Sequence, residues 1–191
     1  MVVDGIILSG GQSSRMGQDK SLLLRDHRDM FFYMLEQMEA LDLQDIYISR
    51  NPNQVSYLTR HPIVADKYRT KGPLGGLHAC MQRSTAEAVL VVPIDLPLIE
   101  ISDLDHLLQS GLMNKSTTYF QNHYLPLFLP NSSAVRAYLD EVMREAQANQ
   151  SVRALCQHFF AQAIKPLNKQ CLYNANTWQQ WQNAKHVISQ F

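Results

Sequence analysis

The sequence predicts an α/β fold: a Rossmann-like three-layer α/β/α sandwich around a mostly parallel sheet. Short apolar, β-rich runs alternate with segments of helical periodicity, which is the pattern of βαβ units. The first such run leads straight into a glycine-rich loop, and two later runs end at aspartates. No linker, repeat or low-complexity segment divides the 191 residues, so we expect one domain, 1–191.

Apolar β-rich runs in the first half of the chain predict strands over 2–8, 45–49, 62–65 and 88–94. Apolar residues at helical spacing predict a helix over 30–43. Pro52 predicts the start of a short helix through Leu58. The loop 71–76, with three glycines and a proline, leads into a helix over 77–82.

The second half continues the alternation. Ser102 is the expected N-cap of a helix over 104–109, with Gly111 as its stop, and Asn131 is the expected cap of a long amphipathic helix. Strands are predicted over 117–120, 124–129 and 171–173, and further helices over 152–160 and after Thr177.

Composition and charge exclude several classes of protein. Seventeen Lys and Arg balance seventeen Asp and Glu, and this neutrality argues against a nucleic-acid binder. No apolar run approaches the roughly 18 residues that a membrane span needs. The first ten residues lack the basic and long apolar regions of a signal peptide and predict a strand instead. Three scattered cysteines without a CxxC pair indicate a reducing cytoplasm.

The loop after the first strand is the most informative segment. In open α/β sheets, ligands bind outside the carboxyl ends of the strands, which selects this loop, Asp66 and Asp95. Glycines let backbone amides approach a ligand, and Arg15 and Lys20 add two cations, a combination that suits a polyphosphate. The spacing matches neither a Walker A loop nor GxGxxG. The structural alternative is a glycine-rich turn with solvated cations.

Two aspartates follow predicted strands and are candidate ligands. Asp95 lies on a stiff turn between Pro93 and Pro97, and one such carboxylate with phosphate oxygens and water suits Mg²⁺. Asp66 is placed to accept hydrogen bonds from a sugar hydroxyl or a base amine. The alternatives are a capping or turn aspartate and a solvated polar loop. The seven histidines form no HxxxH or HExxH spacing, which argues against zinc.

The run Leu8-Ser9-Gly10-Gly11-x-Ser-x-Arg15-Met16-Gly17-x-Asp19-Lys20 resembles the signature L-A-G-G-x-S-x-R-M-G-x-D-K of the MobA-like nucleotidyltransferases. Within that family the chain is similar to the molybdenum cofactor guanylyltransferases. Further matches keep chain order: G-P-L-G-G at 72–76, P-x-D-x-P at 93–97 and N-x-N-T at 174–177. The resemblance therefore covers nearly the whole chain and implies a GT-A-like fold.

The resemblance also implies a reaction: transfer of GMP from GTP to Mo-molybdopterin, giving molybdopterin guanine dinucleotide and diphosphate, with Mg²⁺ as cofactor. It implies other molybdenum cofactor proteins and acceptor molybdoenzymes as partners. Its functional positions fall here on catalytic Arg15, Lys20 and Asp95; on GTP-binding Leu8, Ser9, Gly10, Gly11, Lys20, Ser49, Asn51, Asp66 and Asp95; on pterin-side Gly75, Asn174 and Asn176; and on Asp95 as metal ligand.

Some positions leave alternatives open. The family asparagine after the second strand falls on Ser49-Arg50-Asn51, so this contact belongs to Ser49 or Asn51. The usual G-x-P-L is replaced by 26–30, and the His-Pro element appears as 123–126. A molybdopterin cytidylyltransferase or a small sugar-phosphate nucleotidyltransferase is the alternative enzyme. A nucleotide-sensing or partner-binding protein that keeps the fold without turnover is the non-enzymatic alternative.

Overall fold

The computed structural model describes residues 1–10, 19–54, 57–68, 71–145 and 148–190. Its strands are β1 (Val3–Leu8), β2 (Leu24–Arg25), β3 (Arg28–Asp29), β4 (Ile46–Arg50), β5 (Ile63–Ala65), β6 (Ala88–Pro93), β7 (Thr118–Phe120), β8 (His123–Pro130) and β9 (Gln162–Ile164). Its helices are α1 (Met30–Glu39), α2 (Gly72–Met81), α3 (Ile101–Asn114), α4 (Ser133–Arg144), α5 (Val152–His158) and α6 (Trp178–Ile188).

Seven strands form one sheet in the order β5-β4-β1-β6-β8-β7-β9. The first four strands in this order pair in parallel. Strand β8 runs antiparallel to both of its neighbours, β6 and β7, while β9 lies parallel to β7. The predicted mostly parallel sheet is confirmed, with β8 as the one strand of the described sheet that runs the other way.

Both faces of the sheet are covered, because successive side chains of a strand point to opposite sides. In β1, Ile6 packs into the core formed with α2, α4 and α5, whereas Ile7 packs into the core formed with α1, α3 and the C-terminal segment. The same alternation divides Val91 and Val92 of β6 between the two cores. Burial on both faces explains why these strands are nearly continuous apolar runs. The predicted α/β/α sandwich is confirmed.

Helix α2 begins at Gly72, inside the predicted loop 71–76, and both predicted boundaries of α3 were also wrong. Helix α3 begins at Ile101 rather than after Ser102, because Glu100 forms a reciprocal capping box with Asp103. It also runs through Gly111 instead of stopping there. A side chain at Gly111 would overlap the Phe128 ring, so the glycine permits close packing of α3 on β8.

The predicted cap Asn131 serves a different purpose. Its side-chain amide donates to the Ala86 carbonyl at 2.8 Å, and Ser132 caps α4 in its place by accepting from the Val135 amide at 3.2 Å. The predicted strand over 171–173 is also wrong, because residues Lys169–Leu172 form a turn of 3₁₀ helix.

Residues 51–54 and 57–58 form no helix in the described structure. The Asn51 side chain accepts from the Asn53 amide at 3.1 Å and closes a turn there instead. The β2–β3 hairpin and β9 were not predicted, because two or three residues carry no periodic signal. No helix in the described parts of the chain has the length and apolar character to cross a membrane.

Candidate functional site

The carboxyl ends of the parallel strands meet at one edge of the sheet. The Ser9 amide donates to the Ser49 carbonyl at 2.9 Å, which joins the loops after β1 and β4. The Ile94 amide donates to the Leu8 carbonyl at 3.1 Å, and the Asp66 amide donates to the Arg50 carbonyl at 3.3 Å. Four strand ends thus bring the predicted nucleotide-binding residues to one edge.

The loop after β1 begins with a buried serine and a glycine that lies against the end of β4. Ser9 is only 1% exposed. A Cβ atom on Gly10 would lie 3.4 Å from both the Arg50 carbonyl carbon and the Asn51 amide nitrogen. The backbone just after β1 is therefore in contact with the end of β4. The predicted Gly11 and Arg15 lie outside the described residues.

Helix α2 packs closely against the ends of β1 and β4. A Cβ atom on Gly76 would overlap the Ser49 hydroxyl and would lie 3.3 Å from Leu8 Cδ2. Ser49 is buried, whereas Asn51 is partly exposed and its amide oxygen closes the turn with Asn53. Both residues lie at the predicted edge, so both stay candidates for the base contact.

Gly75 lies against the loop that carries Asp66. A Cβ atom at Gly75 would lie 2.8 Å from each carboxylate oxygen of Asp66 and 2.7 Å from the Tyr68 carbonyl oxygen. The Asp66 Oδ1 atom also accepts from the Tyr68 amide at 2.7 Å. Glycine is needed here because any side chain would displace the Asp66 carboxylate. These contacts put Gly75 beside a proposed nucleoside contact, and its pterin-side role stays a prediction.

Lys20, Asp95 and Asn176 meet although they are far apart in sequence. The Lys20 ammonium donates to Asp95 Oδ2 at 3.0 Å and also to Asn176 Oδ1. Asn176 Nδ2 donates to Asn174 Oδ1 at 2.5 Å, and the Ala175 amide donates to the Asp95 carbonyl at 3.0 Å. The side chains of Lys20 and Asp95 are 15% and 17% exposed, so solvent reaches this cluster.

Asp95 has the features of a Mg²⁺ ligand. Its Oδ1 atom is buried and has no hydrogen-bond partner among the described residues, whereas Oδ2 accepts from Lys20. The described residues contain no cluster of three or more His, Cys, Asp or Glu able to hold a metal ion. Mg²⁺ needs no such cluster, since one protein carboxylate with phosphate oxygens and water is sufficient. The residues present therefore fit this ion.

Arg50, at the end of β4, is a site residue that the sequence analysis missed. Its side chain is 3% exposed and contacts Ser9, Asp19 and Ser21 through its two terminal nitrogens. Its guanidinium carbon lies 4.7 Å from the centre of the Tyr57 ring. Burial raises the pKa of Tyr57, so this hydroxyl stays protonated and donates to Ser21 at 3.1 Å. The available signal was a charged residue at the end of a strand that begins with three apolar or aromatic residues, 46–48.

The three cysteines belong to the cores and not to the site. All three are free and buried. Burial raises the pKa of Cys156 and of Cys171 to about 12 and also raises that of Cys80. Thiols of this kind stay protonated at neutral pH, so they are poor nucleophiles.

Comparisons with known proteins agree with this architecture. The family model "MobA-like NTP transferase domain" matches residues 5–164. A molybdenum cofactor guanylyltransferase from Xanthomonas euvesicatoria is 33% identical over 190 residues, 95% of this chain and 94% of the relative. One from Vibrio atlanticus is 38% identical over 100 residues, 51% of this chain and 50% of the relative.

Solved structures share the fold at low sequence identity. Molybdopterin-guanine dinucleotide biosynthesis protein A from Archaeoglobus fulgidus superposes with a TM-score of 0.80 at 16% identity, covering 98% of this chain and 100% of the other. A 2-C-methyl-D-erythritol 4-phosphate cytidylyltransferase from Thermus thermophilus has a TM-score of 0.74 at 8% identity, covering 96% and 98%. The family model matches most of the chain, and the Xanthomonas relative is 33% identical over 95% of it. The chain therefore belongs to the MobA-like NTP transferase family and is a nucleotidyltransferase.

Proposed function

We propose that this nucleotidyltransferase moves GMP from GTP to Mo-molybdopterin, forming molybdopterin guanine dinucleotide and diphosphate. The observation that carries the proposal is the meeting of Lys20, Asp95 and Asn176 at the edge where β1 and β6 end. A cation, a carboxylate with an unused buried oxygen and an amide are the groups that a triphosphate site requires. The name of the full-length relative supports the choice of GTP and molybdopterin.

GTP is proposed to lie along the edge formed by the ends of β1, β4 and β5. The backbone of Leu8, Ser9 and Gly10 lies beside the nucleotide, with Gly11 next along the chain. Ser49 or Asn51, together with Asp66, hydrogen-bonds the guanosine part. Asp66 suits this role because its carboxylate is partly exposed and is fixed by the Tyr68 amide.

The proposed chemistry is an in-line displacement at the α-phosphorus of GTP. A terminal phosphate oxygen of molybdopterin forms the new P–O bond, and the bond to the β-phosphate oxygen breaks, so diphosphate leaves. The attacking oxygen is already an anion and needs no strong general base. Catalysis then depends on positioning and on neutralising charge. Lys20 and Arg15 are proposed to stabilise the transferring phosphoryl group and the leaving diphosphate.

Asp95 is proposed to hold the Mg²⁺ ion of the reaction through its unpartnered Oδ1 atom. When bound, Mg²⁺ supplies positive charge that neutralises triphosphate oxygens. Asp95 Oδ2 keeps the Lys20 ammonium at the same place, so the carboxylate orients both positive charges. Asn176 holds the same ammonium from the other side.

Asn174 and Asn176 are proposed to face the pterin, together with Gly75, and one domain, 1–191, is proposed to carry the whole site. Three free cysteines fit a reducing compartment, so we propose a cytoplasmic enzyme. Other molybdenum cofactor proteins and acceptor molybdoenzymes are its proposed partners.

The test is a turnover assay with Mg²⁺, GTP and purified molybdopterin, following diphosphate release and identifying the dinucleotide by mass spectrometry. The proposal predicts the guanine dinucleotide and equal amounts of diphosphate. Product formed from CTP but not GTP would assign the cytidylyl reaction instead. Turnover only with a sugar phosphate as acceptor would assign the sugar-nucleotide reaction. Tight nucleotide binding without turnover on any acceptor would indicate the non-enzymatic alternative.

A matched pair of variants connects the assay to the site. Asp95→Asn keeps the shape of the side chain but removes its charge, and is expected to abolish most turnover. Asp105→Asn makes the same change on the exposed face of α3, where the carboxylate accepts a hydrogen bond from the Gln109 side chain. The control should keep the activity of the unmodified chain.

A further inference from the structure

Arg50 is a buried cation that joins three segments of the chain. Its Nη1 atom donates to the Ser9 hydroxyl at 2.9 Å and to the Ser21 hydroxyl at 3.0 Å. Its Nη2 atom donates to Asp19 Oδ2 at 2.8 Å. One guanidinium therefore connects the end of β4, the start of the loop after β1 and the turn at 19–22.

Asp19 links this guanidinium to Lys20. Its Oδ1 atom accepts from the Ser21 amide at 3.0 Å and from the Ser21 hydroxyl at 2.6 Å, which caps the 3₁₀ turn Lys20–Leu22. The other carboxylate oxygen of Asp19, Oδ2, accepts the hydrogen bond from Arg50. The turn that carries Lys20 is thus fixed at its first residue, and Lys20 extends from there to Asp95.

A stack of aromatic rings supports the guanidinium from one side. The Tyr57 ring lies under Arg50 and stacks on Phe31 with ring centres 3.9 Å apart. Phe31 is fully buried in α1, so the stack is anchored in the core. The fork of Arg50 is consequently held in one orientation, which a planar guanidinium allows and a flexible ammonium does not.

Stability alone does not account for a charge at this position. A buried ion pair often contributes no more than well-packed apolar side chains of similar size. Arg50 Nε is moreover buried without a hydrogen-bond partner in the described ranges, and an unsatisfied buried donor is unfavourable. What the arginine provides, and an apolar residue cannot, is a fixed connection between the loop after β1 and the turn that carries Lys20.

We infer that Arg50 is a positioning residue: through Asp19 it fixes the origin of the Lys20 side chain, so that the ammonium lies at Asp95. This inference rests on the proposed role of Lys20 in phosphoryl transfer. Because lysine has a long flexible side chain, its ammonium group is placed correctly only if the backbone that carries it is also placed correctly. A misplacement of about 1 Å in a reacting constellation can lower the rate by about 10²-fold.

The kinetic test is a double-mutant cycle of Arg50→Met and Lys20→Ala. Arg50→Met alone should lower kcat by about 10²-fold, with a much smaller change in KM for GTP. In the Lys20→Ala background the same change should have little further effect, because residues that act through one another are not additive. Effects that multiply in the double variant would overturn the inference.

Two milder variants keep the test valid if Arg50→Met folds poorly. Asp19→Asn retains an oxygen that can cap the turn but removes the charge that Arg50 holds, so kcat should again fall and the fall should vanish in Lys20→Ala. Arg50→Lys keeps the positive charge without the fork and should recover only part of the rate. Arg153→Met, on an exposed position of α5, is the matched control and should be unaffected.

A measurement without substrate separates this inference from the proposed function. The side-chain ammonium of Lys20 can be followed by ¹⁵N NMR and assigned with Lys20→Arg. The intact chain should give a protected Lys20 signal, because the ammonium is held by Asp95 and Asn176. Arg50→Met should shift that signal towards free lysine. An unchanged signal would refute the positioning role, whether or not the chain turns over GTP.

Discussion

The two halves of the candidate site are built in different ways. On the nucleotide side, formed by the ends of β1, β4 and β5 with α2, backbone and small side chains pack directly together. A side chain at Gly75 or Gly76 would overlap neighbouring atoms, and Gly10 lies against the backbone at the end of β4. On the transfer side, formed by Lys20, Asp95 and the segment 174–176, side chains meet through hydrogen bonds across 75 and 156 residues of sequence.

This difference separates binding from chemistry. The nucleotide side is held by parallel strand pairing and by a helix packed on the sheet, so its shape follows from the fold itself. The transfer side depends on a few polar contacts that solvent reaches. We therefore expect substitutions on the nucleotide side to alter stability and affinity, apart from those at Arg50, which acts through Lys20. We expect substitutions on the transfer side to alter turnover while leaving the fold intact.

The largest expected effect tests the transfer side. Lys20→Ala should lower turnover by about 10²–10³-fold, by analogy with removal of one donor that stabilises charge in a transition state. The chain should stay folded, with a smaller change in stability than in turnover, because the Asp95 carboxylate left without Lys20 is 17% exposed and still reaches solvent. Steady-state kinetics and thermal unfolding measure the two quantities. Lys185→Ala, on the exposed face of α6, is the matched control.

Near-native turnover of Lys20→Ala, with the control unchanged, would remove this residue from the mechanism. It would also remove the basis for treating the two sides differently.

A glycine on the nucleotide side tests the opposite behaviour. Gly75→Ala puts a methyl group 2.8 Å from both Asp66 carboxylate oxygens, so the Asp66 loop must move. Overpacking costs about 1–3 kcal/mol, which outweighs the roughly 0.5–1 kcal/mol that alanine gains over glycine in a helix. We expect a lower free energy of unfolding in urea and a higher KM for GTP. A variant as stable as the parent, with unchanged KM, would contradict the packing described here.

A smaller effect is expected at Asn176, which holds the Lys20 ammonium opposite Asp95. A buried hydrogen bond to a charged group contributes at most about 1.5–3 kcal/mol. Because solvent reaches this site, we expect a value near the lower limit, so Asn176→Ala should lower kcat by about tenfold. Asn183→Ala on the exposed face of α6 is the control. Equal kcat in the two variants would mean that the C-terminal segment plays no part in the transfer step.

The cysteines should show the smallest effect of all, because they are buried in the two cores that flank the sheet. With the thiol pKa of Cys156 and Cys171 raised to about 12 by burial, the thiolate fraction stays very small below pH 9. Iodoacetamide at pH 8 should leave turnover unchanged and should label the cysteines only after unfolding, as measured by mass spectrometry. Rapid labelling of the folded chain would show that a core opens readily.

Local sequence predicted much more of the nucleotide side than of the transfer side. The apolar run of β1, its glycine loop and Asp66 were recognised because strand and turn chemistry are local. Lys20 and Asp95 were each recognised as candidates, yet their ion pair depends on sheet topology, which no local pattern contains. Arg50 was missed for the same reason, since its partners Asp19 and Ser21 come from a distant turn.

The fold was predicted correctly from the alternation of strands and helices, and the errors were confined to the ends of helices and to short segments. Gly111 was expected to end a helix because glycine often does. In the structure α3 passes through it, since a neighbouring phenylalanine occupies the space of its missing side chain. The cap of α4 moved to Ser132 because Asn131 has a partner in the Ala86 carbonyl. In both cases a tertiary contact overrode a local preference.

Thermal unfolding with Mg²⁺ and each nucleotide in turn shows whether the nucleotide side and the transfer side act together on GTP. A ligand at ~100 times its Kd stabilises the folded state by about 2.7 kcal/mol, which a shift in Tm detects readily. We expect GTP to raise the Tm, with CTP, ATP and UTP much weaker, and we expect Asp95→Asn to weaken the GTP shift while Asp105→Asn leaves it intact. No shift with GTP, or an equal shift in Asp95→Asn, would show that the two sides do not act together on GTP.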